Sequence, residues 1–127
     1  MKKIVVLGGN GYVGSRIVAS AMKRAASVVS VSRSGAPPTW VAPAMVGGGS
    51  VKWHSGDVLD PGSWTGELAG AEAVVSCIGA FGTNEFMEQI NGDANILAVS
   101  EALKAGVTRF VYLSTVENNL PDFVLKG

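Results

Sequence analysis

The chain has 127 residues, of which 47% are hydrophobic and 16% are charged, so its composition is typical of a folded domain and excludes a disordered chain. Ten basic and ten acidic residues leave no net charge, which argues against a broad surface that binds DNA or RNA phosphates. One cysteine allows no internal disulfide, one histidine gives no zinc-ligand spacing, and no apolar stretch approaches the roughly 20 residues that span a bilayer.

The first fifty residues predict a strand, a helix, a second strand and an irregular crossover. Two glycines end the first β-branched run, and Lys23 and Arg24 suit the negative end of the helix dipole in the last predicted turn. Prolines and a glycine triplet prevent a long helix in the crossover. The predicted elements are the strand Lys3–Leu7, the helix Tyr12–Ala25, the strand Ser27–Ser32 and the irregular segment Arg33–Ser50, with at most two helical turns near Val41–Val46.

The rest of the chain continues the alternation of strands and helices. The long helix has Phe86, Ile90, Ala94, Leu97 and Ala98 on one face, and a glycine follows it as a stop signal. The predicted elements are the strand Val51–His54, a short helix from Asp60 to about Ala69, the strand Ala71–Ile78, the helix Asn84–Ala105 and the strand Val107–Ser114.

Strands that alternate with helices or crossovers predict a parallel sheet that is covered on both faces. We therefore expect an α/β fold in which a single domain, residues 1–127, contains a doubly wound sheet of five strands in the order 3-2-1-4-5. This is the strand order of nucleotide-binding sheets.

A glycine-rich turn joins the first strand to the first helix. Gly9, Gly11 and Gly14 fit the spacing G-x-G-x-x-G, and Gly8, Gly11 and Gly14 fit G-x-x-G-x-x-G, so spacing alone does not choose between them. Such a turn offers backbone N–H groups and the positive end of a helix to a phosphate. The alternative is a tight turn with close helix–strand packing, especially at Gly14. The glycine turn follows the first strand and begins the first helix, and this position favours dinucleotide binding over packing alone as the explanation.

The ends of the second and third predicted strands add two candidate ligands. The second strand ends in Ser32-Arg33-Ser34, without the acid that pairs with the ribose of NAD. Arg33 suits the 2′-phosphate of NADP, so NADP(H) is favoured over NAD(H), the alternative being a solvated loop arginine. Asp57 either accepts a hydrogen bond from the adenine amino group or is a turn residue.

Six stretches of the sequence carry a resemblance to a known family. They are GGNGYVGSRI, VSRSG, SGDVLD, VVSCIGAFG, INGDANI and RFVYLST. In this order they resemble the atypical and extended, epimerase/dehydratase-like branches of the short-chain dehydrogenase/reductase superfamily, which have a Rossmann fold. The resemblance covers essentially the whole chain. The chain is similar to plant and algal plastid-type members and to the NADPH-binding accessory subunit of respiratory complex I. This kinship suggests that the protein resides in a plastid or a mitochondrion.

The resemblance implies a role for each matching residue. The glycine turn would wrap the pyrophosphate, Arg33 would meet the adenosine phosphate, and Ser114 or Thr115 would be the catalytic hydroxyl, unless both hydroxyls only satisfy strand-end backbone groups. The other implied cofactor residues are Gly8, Asn10, Gly11, Tyr12, Val13 and Gly14 at the pyrophosphate, Asp57 and Val58 at adenine, and Ile78, Gly79 and Ala80 at the nicotinamide ribose.

The reaction of this superfamily needs a Tyr-x-x-x-Lys pair, which the 127 residues do not contain. The two tyrosines, Tyr12 and Tyr112, are followed four residues later by Arg16 and Val116. We therefore expect a C-terminally truncated, NADP(H)-binding oxidoreductase-like domain that is not catalytically competent alone. The alternative is a non-enzymatic NADPH-binding sensor, or an assembly or stability subunit. A protein partner or self-association would cover the open edge of the fifth strand.

Overall fold

A computed structural model describes residues 2–24, 27–37, 51–78 and 92–113. Five strands form one parallel sheet in the order β3-β2-β1-β4-β5, which confirms the predicted order. The strands are β1 (Lys3–Leu7), β2 (Ser27–Ser32), β3 (Val51–Ser55), β4 (Ala71–Ser76) and β5 (Arg109–Tyr112), and the described helices are α1 (Tyr12–Met22) and α2 (Ala94–Lys104).

The central strand β1 pairs with β2 on one side and with β4 on the other. Val5 lies opposite Val29 of β2 and Val74 of β4. Val5, Val6 and Leu7 are all fully buried, because elements cover both faces of the sheet. A strand of this kind has a continuous apolar run instead of an alternating one, which explains the sequence KIVVL.

Each face of the sheet has its own core. On one face, Val5 and Leu7 pack in a cluster with the small residues Ala94, Ala98 and Ala102 of α2. On the other face, Val6 and Val28 pack against Val18 of α1. The alanines of α2 let the helix approach the sheet closely.

The first helix ends earlier than the sequence predicts. It ends at Met22, and the N–H groups of Lys23 and Arg24 donate to Ser20 and Ala21 in a tightened turn. The prediction that these two cations lie in the last helical turn is therefore wrong: they follow the helix. Ala25 lies outside the described residues.

The short helix predicted from Asp60 to about Ala69 is wrong in type. Two 3-10 segments, Pro61–Ser63 and Thr65–Leu68, occupy this stretch and are separated by Trp64, whose φ of −143° is not helical. The Ser63 hydroxyl donates to the Asp60 carbonyl at 2.7 Å, and such local bonds compete with a helix. The fully buried Trp64 side chain fixes this bend against the core.

The second helix has a well-defined C-terminal cap. Gly106 has a φ of +80°, and the N–H of Val107 donates to the carbonyl of Ala102 at 3.0 Å. Buried Val107 and Ala102 share one core cluster, so this is a Schellman cap with its apolar contact. The predicted stop at Gly106 is confirmed, whereas residues 84–91 lie outside the described residues.

The remaining bounds differ by a few residues. β3 extends one residue further than predicted, β4 ends two residues earlier, and β5 is shorter at both ends. The turns predicted near Val41–Val46 lie outside the described residues. In the described parts of the chain, no helix has the length and the apolar character needed to cross a membrane.

Candidate functional site

A cleft of about 540 Å³ opens at the carboxyl ends of β1, β2, β3 and β4. In a doubly wound sheet this edge is where ligands bind, at the point where the strand order reverses. Its volume is within the range of ligand pockets. The cleft is lined by Gly8, Asn10, Gly11, Val31, Ser32, Arg33, Ser34, Gly56, Asp57, Val58, Leu59, Cys77, Ile78 and Ala94.

Most of the cofactor residues that the sequence predicts, and that the structure describes, line this cleft. Val13 is half-exposed outside the cleft lining, and Gly14 is buried behind it. The backbone of Tyr12 begins α1. Gly79, Ala80, Ser114 and Thr115 lie outside the described residues.

The glycine turn packs tightly against its own strand and helix. A Cβ atom on Gly9 would lie 2.1 Å from the Ser30 hydroxyl oxygen, and a Cβ atom on Gly14 would lie 2.0 Å from the Gly8 carbonyl oxygen. Gly8 has a φ of +80°, which L-residues rarely adopt. The structure thus requires glycine at 8, 9 and 14 for reasons internal to the protein.

Gly11 is different from the other three glycines. Its φ of −77° and ψ of 175° suit any residue, and a Cβ atom there would meet only the Gly8 carbonyl oxygen at an ordinary 3.5 Å. Gly11 is also the N-cap of α1 and offers no side-chain oxygen to the first N–H groups of the helix. Neither packing nor backbone conformation explains this glycine, which lines the cleft.

The loop after β2 is fixed by a set of hydrogen bonds. The Gly35 N–H donates to the Ser32 hydroxyl at 3.1 Å, and the Ser55 hydroxyl donates to the Arg33 carbonyl at 2.8 Å. Asn10 of the glycine turn donates from Nδ2 to the Ser34 hydroxyl at 2.9 Å. Arg33 is exposed at the rim of the cleft, and none of the described carboxylates forms an ion pair with it.

The loop after β3 presents Asp57 and an apolar neighbour. Asp57 Oδ1 accepts the Leu59 N–H at 3.0 Å, so the carboxylate is a turn residue as well as a lining residue of the cleft. Val58 is only 8% exposed, and its carbonyl accepts the Trp64 indole N–H at 3.3 Å. Leu59 is 41% exposed and was missed in the sequence, because a leucine in a turn carries no periodic signal.

The end of β4 forms the floor of the cleft. The Cys77 N–H donates to the Leu7 carbonyl at 2.9 Å, and its side chain packs with the cluster beneath α1. Burial raises the pKa of this thiol, so the cysteine stays protonated at neutral pH. The Ser76 hydroxyl donates to Asn95 Oδ1 at 2.5 Å and ties β4 to α2. Among the described residues, no group of three or more His, Cys, Asp or Glu side chains could hold a metal ion.

Comparisons with known proteins agree with this geometry. The family model of the "NAD dependent epimerase/dehydratase family" matches residues 4–119 of the sequence. An uncharacterised chloroplastic protein of Arabidopsis thaliana is 46% identical over 99% of this chain and 41% of its own length. MIOREX complex component 2 of Saccharomyces cerevisiae is 35% identical over 68% of this chain and 32% of its own length. A 2-alkyl-3-oxoalkanoate reductase of Stenotrophomonas maltophilia is 32% identical over 89% of this chain and 33% of its own length.

Solved structures show the same fold. A UDP-glucose-4-epimerase of Stenotrophomonas maltophila, solved with bound NAD, has a TM-score of 0.78 at 18% identity and covers 95% of this chain and 40% of its own. A uronate dehydrogenase of Agrobacterium tumefaciens in complex with NAD has a TM-score of 0.71 at 20% identity. The match covers 91% of this chain and 41% of the dehydrogenase chain. The chain thus spans less than half the length of the curated relatives it matches. With the glycine turn and the five-stranded sheet, these matches show that the chain belongs to the NAD dependent epimerase/dehydratase family and is an atypical short-chain dehydrogenase/reductase-like NAD(P)-binding Rossmann domain.

Proposed function

We propose that the cleft binds a nicotinamide dinucleotide with its pyrophosphate against Gly11, and that the cofactor is NADP(H) in preference to NAD(H). The observation that carries this proposal is the unexplained glycine: a side chain at position 11 would meet no protein obstacle, but it would occupy the approach to the N-terminus of α1. A phosphate bound at the helix N-terminus explains why no side chain stands there.

The loops at the ends of the strands would each contact a different part of the cofactor. In this proposal the turn from Gly8 to Gly11 holds the pyrophosphate, and Ile78 lies under the nicotinamide ribose. Asp57 and Val58 flank the adenine, with Leu59 beside them in the cleft lining. When bound, the cofactor supplies a hydride at its nicotinamide ring. The described residues bind and orient it, and the apolar side chains of Leu59 and Ile78 limit the access of water.

The preference for NADP(H) rests on Arg33. It lies at the end of β2, where the ribose of the adenosine half is expected, and no described carboxylate neutralises it. A guanidinium can form two charge-assisted hydrogen bonds with a 2′-phosphate. The solved structures that contain NAD are only 18–20% identical to this chain, so their NAD does not determine which dinucleotide this chain prefers.

We further propose that residues 1–127 supply the cofactor-binding half of a reductase-like site and do not catalyse turnover alone. Neither Tyr12 nor Tyr112 has a lysine four residues later, so these residues do not supply the Tyr-x-x-x-Lys pair of the superfamily. In that arrangement, substrate selection and proton transfer depend on residues outside this stretch.

A second candidate function is that of an NADPH-binding assembly or stability subunit. It is favoured by the similarity to a component of a complex, MIOREX complex component 2. It is also favoured by exposed apolar side chains on α2 and β5, namely Ile96, Leu103 and Val111. A Tyr-x-x-x-Lys pair in sequence that follows position 127 would favour the enzyme, and a partner that is retained in purification with a fixed stoichiometry would favour the subunit.

A matched pair of glycine variants tests the proposed site. Gly11→Val should abolish the rise in thermal midpoint that NADPH produces, which we expect to be about 5 °C or more at a hundredfold excess over Kd. Gly66→Ala is the control, because a Cβ atom there would meet nothing within 4 Å and the residue lies outside the cleft. A Gly11→Val chain that is folded and keeps the full shift would overturn the proposal.

A further inference from the structure

The glycine turn and the loop after β2 are joined across the rim of the cleft by one side-chain contact. Asn10 Nδ2 donates to the Ser34 hydroxyl at 2.9 Å, and both residues line the cleft. The Ala36 N–H donates to the same oxygen at 3.3 Å. A serine hydroxyl has two acceptor lone pairs and one hydrogen. With both lone pairs engaged, Ser34 has only its hydrogen left to offer.

No described group accepts that hydrogen. The hydroxyl oxygen acts as an acceptor in both of its hydrogen bonds within the described residues. Ser34 is exposed and adjoins Arg33, so the hydrogen is available to a ligand at the end of β2. This gives the loop one fixed donor beside one positive charge, an arrangement that suits an anion with several acceptor oxygens.

The backbone that carries Ser34 is held in place from beneath. The Gly56 N–H donates to the Ser32 carbonyl at 2.9 Å, and the Ser55 hydroxyl donates to the Arg33 carbonyl at 2.8 Å. A Cβ atom on Gly35 would lie 2.7 Å from Ser55, so the turn packs directly on β3. A donor on such a loop needs little ordering when a ligand binds, which favours affinity.

We infer that Asn10 and Ser34 form a specificity-determining pair, in which Asn10 orients the Ser34 hydroxyl as a donor to the 2′-phosphate of NADP(H). The inference rests on the proposed binding of NADP(H). Ser34 acts as a phosphate ligand, and Asn10 is a positioning residue. A phosphate dianion forms a charge-assisted bond with the hydroxyl, whereas the 2′-hydroxyl of NAD(H) forms only a neutral one. The pair therefore acts on the ratio of the two affinities.

Affinities of NADPH and NADH, measured by fluorescence titration of the 127-residue chain, test the pair. Ser34→Ala should weaken NADPH binding about tenfold and NADH binding less than about twofold. Ser34→Thr keeps a hydroxyl and should retain most of the preference. Asn10→Ala should also lower the ratio of NADH to NADPH dissociation constants. Any effect of this variant on pyrophosphate binding cancels in the ratio, because both cofactors contain the pyrophosphate.

The double variant separates positioning from an independent contact. If Asn10 acts through Ser34, then Asn10→Ala leaves the ratio unchanged in a Ser34→Ala background. The inference is overturned if the wild type prefers NADPH and this preference is undiminished in Ser34→Ala, or if the two variants change the ratio additively. A wild-type chain that binds neither cofactor, or both equally, overturns the proposed function as well. Unchanged thermal midpoints without cofactor establish that the variants are folded.

Discussion

The Gly8 carbonyl oxygen occupies the place that a side chain on Gly14 would need. A Cβ atom on Gly14 would lie 2.0 Å from that oxygen and 2.9 Å from the Gly8 carbonyl carbon. Both are backbone atoms of the residue that directly follows β1, so they cannot rotate away. This contact sets how closely α1 approaches the sheet, and it places the helix N-terminus at the cleft.

Gly14→Ala should therefore destabilise the fold, because either α1 or the turn must move. We expect a loss of about 3 kcal/mol, measured as a lower urea midpoint at an unchanged m-value. Gly66→Ala, where a Cβ atom has free space, should leave the free energy of unfolding within about 0.5 kcal/mol of the wild type. A Gly14→Ala chain as stable as Gly66→Ala would contradict this packing.

Two fully buried serines are expected to respond differently to truncation. The Ser30 hydroxyl of β2 has no hydrogen-bond partner among the described residues, whereas the Ser76 hydroxyl of β4 donates to Asn95. Ser30→Ala should leave stability unchanged or raise it by about 1 kcal/mol, and Ser76→Ala should lower it by about 1–2 kcal/mol. Urea unfolding of the pair measures the difference, and equal losses would contradict the assignment of partners.

Glu67 should make stability depend on pH. It lies 2.5 Å from Lys52 Nζ and 3.5 Å from His54 Nδ1, and the hydrogen bond from Lys52 is the main cause that lowers its pKa. Because the pKa is lower in the folded state, the stabilisation is fully present above the unfolded value of about 4.3 and is lost as the pH falls through the folded value. Glu67→Gln should cost about 1 kcal/mol at pH 7, since Lys52 is largely exposed.

The same variant should differ less from the wild type under acid conditions. Urea midpoints at pH 7 and pH 3 measure this, and the gap between the two proteins should narrow at pH 3. Glu101→Gln removes only a 3.4 Å contact with the exposed Lys104 and should cost less than about 0.5 kcal/mol at pH 7. A gap for Glu67→Gln that widens toward pH 3 would show that the sign is wrong.

The sheet order follows from the sequence because apolar runs and connection lengths determine it, but the sequence predicts the wrong extent for α1 and the wrong type of helix around Trp64. Nothing local in the sequence marks Met22 as the last helical residue, since Lys23 and Arg24 are good helix formers. Around Trp64, burial of the indole and the bonds of Ser63 override helical propensity. Tertiary contacts of this kind cannot be read from periodicity.

The residues that line the candidate cleft can be predicted only in part, for the same reason. The glycine turn has motif spacing and Arg33 follows a predicted strand, so the sequence alone identifies these residues. The contact of Asn10 with Ser34 joins residues 24 positions apart, and the exposure of Leu59 depends on the turn that Asp57 caps. The separate roles of the four glycines also needed the structure, because spacing cannot distinguish a glycine that packing requires from one that leaves room for a ligand.

The central claim is that the cleft holds NADP(H), with Arg33 at the 2′-phosphate. Dissociation constants of NADPH and NADH for the wild type, Arg33→Ala and Arg24→Ala test it most directly, since Arg24 is an exposed arginine outside the cleft lining. We expect the wild type and Arg24→Ala to bind NADPH at least about tenfold more tightly than NADH, and Arg33→Ala to lose most of this preference. Equal or tighter binding of NADH by the wild type, or an undiminished preference for NADPH in Arg33→Ala, would contradict this claim.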